Sequence, residues 1–456
     1  MSACDKTPIK VAQIASFDVG GAFIAANRLH RAVCALGHES RFYLLQARGH
    51  SQVESSRPTR FQQFLNILRP HLDRGLLELA ARHRKGKFSA AWLPNSRLQR
   101  LARTDDFDLL HLHWLGDGFI PVEGLRQIRQ PIVWTLHDMW AFTGGCYYDS
   151  ECGRFAVGCG CCPVLRSQSQ TDLSSWVLRR KLRAWKDLNL TLVAPSRWMA
   201  DEARRSLLFR NRRIEIIPSC LDVSVFKPVQ RTTARQLLNL PQDRSLILFG
   251  ALKPQSEPRK GYALFQEALS KLRSQTEEDI DIVMFGGDAP RTWQSEGFTW
   301  HSLRTLHDEV SLALVYSAAD VFVAPSLQDN LPNTVLESLA CGTPVVGSNV
   351  GGLPDMVTSR FNGYLACVTD AADFAYGIRW VLKEVASSMT LRENARNSVL
   401  ARYTPASIAG QYLALYQELL GRCSRDGSTS TAAQSDDSDP VGPPCHRSDA
   451  GAISRP

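Results

Sequence analysis

Short apolar runs rich in β-branched residues alternate, almost from end to end of the chain, with segments whose apolar residues recur every three to four positions. Runs of the first kind fit strands buried on both faces, and segments of the second kind fit helices laid over them. Their alternation argues for parallel sheets with crossover helices. The predicted strands of the first half are KVAQIASF (10–17), DLLHLHWL (108–115), PIVWTLHD (131–138), LTLVAPS (190–196) and IEIIPS (214–219). Those of the second half are SLILFGAL (245–252), IDIVMFGG (280–287), FTWHSL (298–303), VFVAPS (321–326) and TPVVGS (343–348). Several end at Gly, Ser, Asp or His, residue types suited to the handover from a strand to a ligand-binding loop. The fold class that follows is α/β.

Between the two sets lies LDVSVFKPVQRTTARQLLNLPQDR (221–244), where Pro228 and Pro241 bound one short helical pattern and place a domain boundary near residue 228. The expected organisation is a first domain over 1–228, a second over 229–404, a closing helix over 405–422 and a disordered tail over 423–456. The tail turns to Ser, Thr, Asp, Gly and Pro, a composition too poor in large apolar groups to bury a core. A cleft between two such domains is the natural place for a substrate.

With 44% hydrophobic and 21% charged residues the chain has the composition of a soluble globular protein. No apolar run reaches the roughly 18 residues that span a bilayer, and the first thirty residues lack a basic-then-apolar leader, so the expected compartment is the cytoplasm. The net charge is +8, but Ser56 to Thr104 holds eleven Lys and Arg against only Asp73 and Glu78. There a helix could set an apolar face (Phe61, Phe64, Leu65, Ile67, Leu68, Leu72, Leu76, Leu77, Leu79) beside Arg69, Arg74, Arg82 and Arg84. Two readings stand: peripheral docking on an anionic membrane surface, or a packed helix with a solvated basic face. Nucleic-acid binding is not expected, because no recognition motif accompanies the charge.

The strongest chemical signal is PSLQDNLPNTVLESLACGTP, from Pro325 to Pro344. Two acids, Asp329 and Glu337, flank a loop (Asn330, Leu331, Pro332, Asn333) that opens a helix, whose N-terminal N–H groups suit a diphosphate. The stretch resembles the donor-site signature of the family-4 type of GT-B glycosyltransferases, the glycosyl transferases of group 1. The resemblance implies two Rossmann-like domains facing across a cleft, with the C-terminal helix packing back on the first. It assigns Glu337 to the nucleotide ribose and Asp329 to the donor sugar, although the family more often has Glu at the first acid. SEPRKGY (256–262) matches the family's Arg/Lys pair, so Arg259 and Lys260 would neutralise the leaving diphosphate. Ala251 and Leu252 stand where the family often adds another Arg. Gly20 and Gly21, between a strand and a helix, resemble the family's glycine loop, which lets backbone approach a donor phosphate or an acceptor.

WTLHD (134–138) ends a strand where the family places a histidine against the donor sugar. By position that residue is His137, with Asp138 beside it to orient the ring or meet the acceptor hydroxyl. Of His111 and His113, one is expected to face the same cleft, with His113 the candidate for the acceptor, and the other the core. VGGLPDMV (350–357) and SAADVFVAPS (317–326) match segments that shape the donor pocket, without assigned chemistry.

Of twelve cysteines, five fall between Cys146 and Cys162 in the insertion 143–163. Cys146, Cys152, Cys159 and Cys162 have the spacing C-x5-C-x6-C-x2-C, which four thiolates could close into a structural zinc site, leaving Cys161 spare. Free thiols and a disulfide pair are the alternatives. A similar insertion occurs in glycosyltransferases of colanic-acid-type exopolysaccharide synthesis. The resemblance as a whole implies retaining transfer from a UDP- or GDP-linked sugar to a saccharide acceptor, lipid-linked, in polysaccharide synthesis, with no cofactor required for catalysis. A GT-B nucleotide-sugar epimerase and a non-catalytic nucleotide-sugar-binding subunit are the rival readings.

Overall fold

A computed structural model describes residues 7–46, 60–80, 86–95, 98, 107–250, 257–287, 291–306 and 308–422. Two sheets organise it. The first is six-stranded and wholly parallel, built from β1 (Lys10–Phe17), β2 (Glu39–Gln46), β3 (Leu109–Leu112), β4 (Ile132–Thr135), β5 (Leu190–Ala194) and β6 (Ile214–Ile216), in the order β2-β1-β3-β4-β5-β6. The second is seven-stranded: β7 (Ser245–Gly250), β8 (Ile280–Gly287), β9 (Arg291–Ser295), β10 (Phe298–Arg304), β11 (Val321–Ala324), β12 (Val345–Ser348) and β13 (Gly363–Ala366), in the order β13-β12-β11-β7-β8-β10-β9. Only the β9–β10 pair is antiparallel. The expected two-domain GT-B architecture is what forms.

All ten predicted strands are present. Three more, β2, β9 and β13, were not predicted, and all three lie at sheet edges. Edge strands face solvent on one side and so tolerate polar residues, as in RTWQS of β9, which hides them from an apolar pattern.

Helices cover both faces: α1 (Gly21–Ala35), α2 (Arg60–Ala80), α3 (Leu173–Trp185), α4 (Arg197–Arg205), α5 (Arg231–Leu237), α6 (Tyr262–Arg273), α7 (Glu309–Ala318), α8 (Asn333–Ala340), α9 (Ala371–Ser387), α10 (Thr390–Arg402) and α11 (Pro405–Leu419). Several start on a side-chain cap, in which a carboxylate or hydroxyl accepts from first-turn amides that would otherwise lack a partner: Asp172 for α3, Ser196 for α4, Asp308 for α7 and Asp370 for α9.

The chain crosses between the domains twice. After β6 it enters the second domain, and at α11 it returns, burying Ile408, Ala409, Tyr412, Leu413 and Tyr416 against Ile9, Val11, Val133 and Val193 of the first sheet. At ~1.5–3 kcal/mol for each fully buried large apolar side chain, that return is firmly held. The two crossings lie side by side, with the Leu221 N–H donating to the Tyr403 carbonyl at 2.9 Å.

In each sheet the strand order reverses direction at one point, β1/β3 in the first and β7/β11 in the second. Loops leaving the carboxyl ends of such strands diverge and leave a crevice between them. Gly20, His113, Arg259, Lys260 and the 325–332 loop all follow these four strands. Among the described residues no helix is long and apolar enough to cross a membrane. Residues 251–256, 423–456 and parts of the basic segment lie outside the described residues.

Candidate functional site

The two acids of the 325–344 motif lie in two charge clusters. Asp329, buried at 6% exposure, accepts from Lys260 Nζ at 2.6 Å and pairs with Arg259 at 3.1 Å. Burial alone would raise its carboxyl, but the two cations outweigh that and hold it down at about 2. Arg259 also donates to the Gln328 carbonyl at 2.6 Å and stacks over the Tyr148 ring at 4.2 Å. Gly261 ends this turn with φ at 72°, and a side chain there would run into the Pro325 carbonyl. The glycine lets the β7 and β11 loops touch, which brings the acid and the Arg/Lys pair together.

Glu337 lies one turn into α8 and is buried at 4% exposure. Its Oε2 accepts from Tyr316 OH at 3.0 Å and its Oε1 from Arg28 Nη2 at 2.8 Å. Arg28, on α1 of the first domain, also holds Glu309 at 2.9 Å and lies over the Phe226 ring. Burial would lower this guanidinium's proton affinity, but Glu337 and Glu309 reverse that and raise it.

The loop between the acids grips the opposite domain. Asn330 Nδ2 donates to the Leu136 and His137 carbonyls at 2.9 and 3.2 Å, and its Oδ1 accepts from Ser196 Oγ at 2.7 Å. The Ser196 hydroxyl thus caps α4 and holds the 330–333 loop at once. Asn333 Nδ2 donates to the Gly21 carbonyl at 3.1 Å, Gln328 to Asp149 at 2.9 Å, and Arg197 pairs with Asp355 at 2.7 Å. Leu331 is buried beneath the loop and Pro332 caps α8. Gly20 turns the chain into α1 with φ at 88°, a conformation that favours glycine.

His137 Nε2 meets His113 Nδ1 at 3.0 Å, and His113 Nε2 meets Gln13 Oε1 at 2.7 Å. Asp138 accepts from the Trp140 amide at 2.9 Å, and burial pushes its carboxyl up to about 6. His113, His137, Asp138, Trp114 and Tyr147 line a cavity of about 10 Å³, room for roughly one water. This cavity belongs to the first domain, while the 328–333 loop of the second domain is paired with first-domain groups through Gln328, Asn330 and Asn333.

One expectation needs correction. His111 and His113 do not face opposite ways: residues two apart on a strand share a face, and both rings are buried with centroids 4.2 Å apart. With both ring nitrogens engaged, His113 is not free to meet an acceptor. Cys152, Cys159 and Cys162 lie near enough to act on Cys146 electrostatically, yet among the described residues no three His, Cys, Asp or Glu side chains converge on a metal position. Cys146 and Cys162 instead pack in an apolar cluster with Leu77, Phe88 and Val164, and Cys159 packs against a separate core. Burial raises the Cys159 thiol to about 12.

Sequence reasoning missed Arg28, Tyr148, Ser196, Tyr316 and Gln328. The one available signal was the position of Arg28 on the helix that the glycine pair opens.

Two Rossmann-like sheets with facing switch points, one carrying an acid joined to an Arg/Lys pair, define the GT-B class. Residues 19–225 match the family described as Glycosyltransferase Family 4, and residues 243–384 match that described as Glycosyl transferases group 1. Between them these two matches cover about three quarters of the chain, whose fold is that of the GT-B glycosyltransferases. A D-inositol 3-phosphate glycosyltransferase of Geodermatophilus obscurus is 32% identical over 235 residues, 46% of this chain and 51% of that protein. The match thus spans about half the length of that curated relative. Among solved structures, sucrose-phosphate synthase from Thermosynechococcus elongatus superposes with a TM-score of 0.64 at 21% identity, over 91% of this chain and 100% of the other. Anabaena HepE in complex with UDP-glucose superposes with a TM-score of 0.60 at 15% identity, over 90% and 100%. At these identities the structural likeness concerns the fold.

Proposed function

We propose that the protein transfers a sugar, with retention, from a UDP- or GDP-linked donor to a hydroxyl of a lipid-linked saccharide in exopolysaccharide or cell-surface polysaccharide synthesis. The observation that carries this reading is the meeting of Arg259, Lys260 and Asp329 at the β7/β11 switch point. Two cations held there can take up the charge of a departing diphosphate, releasing Asp329 toward the sugar. Glu337 supplies two oxygens for ribose hydroxyls once Arg28 and Tyr316 yield. His137 meets the transferred sugar and Asp138 the acceptor. The solved UDP-glucose complex of HepE, which shares the fold, supports a nucleotide-sugar donor.

A surface on α2 supports peripheral docking at the inner face of the plasma membrane: Ile67, Leu68 and Leu72 point to solvent while Asn66, Asp73 and Leu77 face inward. A second reading, a phosphorylated cyclitol acceptor, is favoured by the name of the Geodermatophilus relative.

The test begins with a thermal-shift screen against nucleoside diphosphates and nucleotide sugars, since a ligand that binds only the folded state raises Tm. The stabilising donor then goes into transfer assays with lipid-linked saccharides and with inositol phosphate. Transfer to either fixes the acceptor class. A free rearranged sugar would point to an epimerase, and binding without turnover to a non-catalytic subunit.

A further inference from the structure

Gln13, His113 and His137 lie on or just past β1, β3 and β4, three neighbouring strands, and their side chains join in one line of hydrogen bonds. A carboxamide oxygen can only accept, so the His113 Nε2 facing Gln13 Oε1 carries a proton. All three histidines of this region are neutral, because burial disfavours their charged forms: His137 is lowered to about 4, His111 to about 3 and His113 well below its ordinary value. A neutral imidazole has one proton, so His113 Nδ1 is bare and accepts from His137 Nε2. The proton of His137 is then fixed at Nε2. His137 Nδ1 is left as a lone pair with no protein partner among the described residues, on a residue that lines the cavity beside Asp138.

We infer that Gln13 and His113 are positioning residues that set the tautomer of His137, so that His137 offers the cleft a hydrogen-bond acceptor and not a donor. The inference rests on the proposed transferase reading only for its consequence. An acceptor recognises a hydroxyl of the transferred sugar, whereas the other tautomer would suit a phosphate or ether oxygen. One feature isolates the relay. His111, stacked on His113, is satisfied separately by Tyr416 OH and Thr135 Oγ1, both at 2.7 Å, so it does not compete.

The test uses the full-length protein with 15N-labelled histidine. Long-range 1H–15N correlations distinguish the two neutral tautomers, and His137→Asn assigns the signals. The expected result is His113 and His137 both protonated at Nε2. His137 protonated at Nδ1 would overturn the proposal, and that measurement needs no folded Gln13 variant. Gln13→Leu should then give a tautomer mixture at His137, and Gln13→Glu, which still accepts from His113, should restore the single form. An unchanged His137 signal in Gln13→Leu also counts against the relay. Where transfer can be measured, Gln13→Leu should lower kcat/KM about tenfold, the size of one neutral hydrogen bond, and leave nucleoside diphosphate affinity unchanged. If the spectra behave as expected but no nucleotide sugar is turned over, the relay stands and the transferase reading fails.

Discussion

Replacing Arg28 by methionine keeps most of the buried stem and removes the charge that locks α1 to Glu337. Were the cleft unable to open, the lone carboxylate would cost ~3–5 kcal/mol, because Glu337 is buried at 4% exposure with only Tyr316 left to it. If the domains part, water solvates Glu337, and the penalty is then capped by the free energy of opening. The contact with Glu309, whose side chain is 31% exposed, adds little. What remains is one charge-assisted hydrogen bond of ~1.5–3 kcal/mol, which shifts the opening equilibrium about 10- to 150-fold. Native-state hydrogen exchange reads that shift even when the open form is rare. The Arg197 amide, which donates to Asp355 across the cleft at 2.7 Å, should lose protection by that factor. Nucleoside diphosphate should bind more tightly, since ribose no longer displaces a guanidinium. Protection unchanged within about twofold, together with unchanged affinity, would refute the idea that Arg28 holds the cleft shut.

Glu337→Ala removes the oxygens expected to meet the ribose, so calorimetry should show weakened nucleoside diphosphate binding. Equal affinity would remove that role. Lys260→Ala should lower kcat more than donor affinity, because its charge matters most as the diphosphate departs; an unaffected kcat would count against it. Asp329 titrates near 2 in the folded chain against ~3.9 unfolded. Its pairing therefore contributes stability that is present above pH ~4 and lost as pH falls through about 2. Urea unfolding of wild type and Asp329→Asn should differ by ~2–3 kcal/mol at pH 6 and converge in strong acid, whereas a gap independent of pH would contradict the pairing.

The central strands were legible because burial on both faces leaves almost nothing but apolar residues, as in VFVA of β11. Strand β2, ESRFYLLQ, mixes both kinds and carries no such mark. At the site, Asp329, Glu337, Arg259 and Lys260 could be named because their chemistry is concentrated in two short segments. Arg28 could not: its partner Glu337 is 309 positions away, and a pairing made by two domains closing leaves no trace in either local pattern. The histidines were a different kind of miss. Their spacing of two already implied a shared face, and the period of the strand was there to be applied.

The double passage of the chain between the domains shapes how such a cleft can move. A single connecting segment would act as a tether and allow the halves to swing and twist about several axes. Two segments joined by the Leu221–Tyr403 hydrogen bond form a short ribbon, which bends across its face and resists torsion. The ends of that ribbon are fixed, one by β6 in the first sheet and the other by the buried face of α11. An opening about such a ribbon would run close to a single rotation, which would bring Arg28, Asn330 and Asn333 back to the same partners on closing.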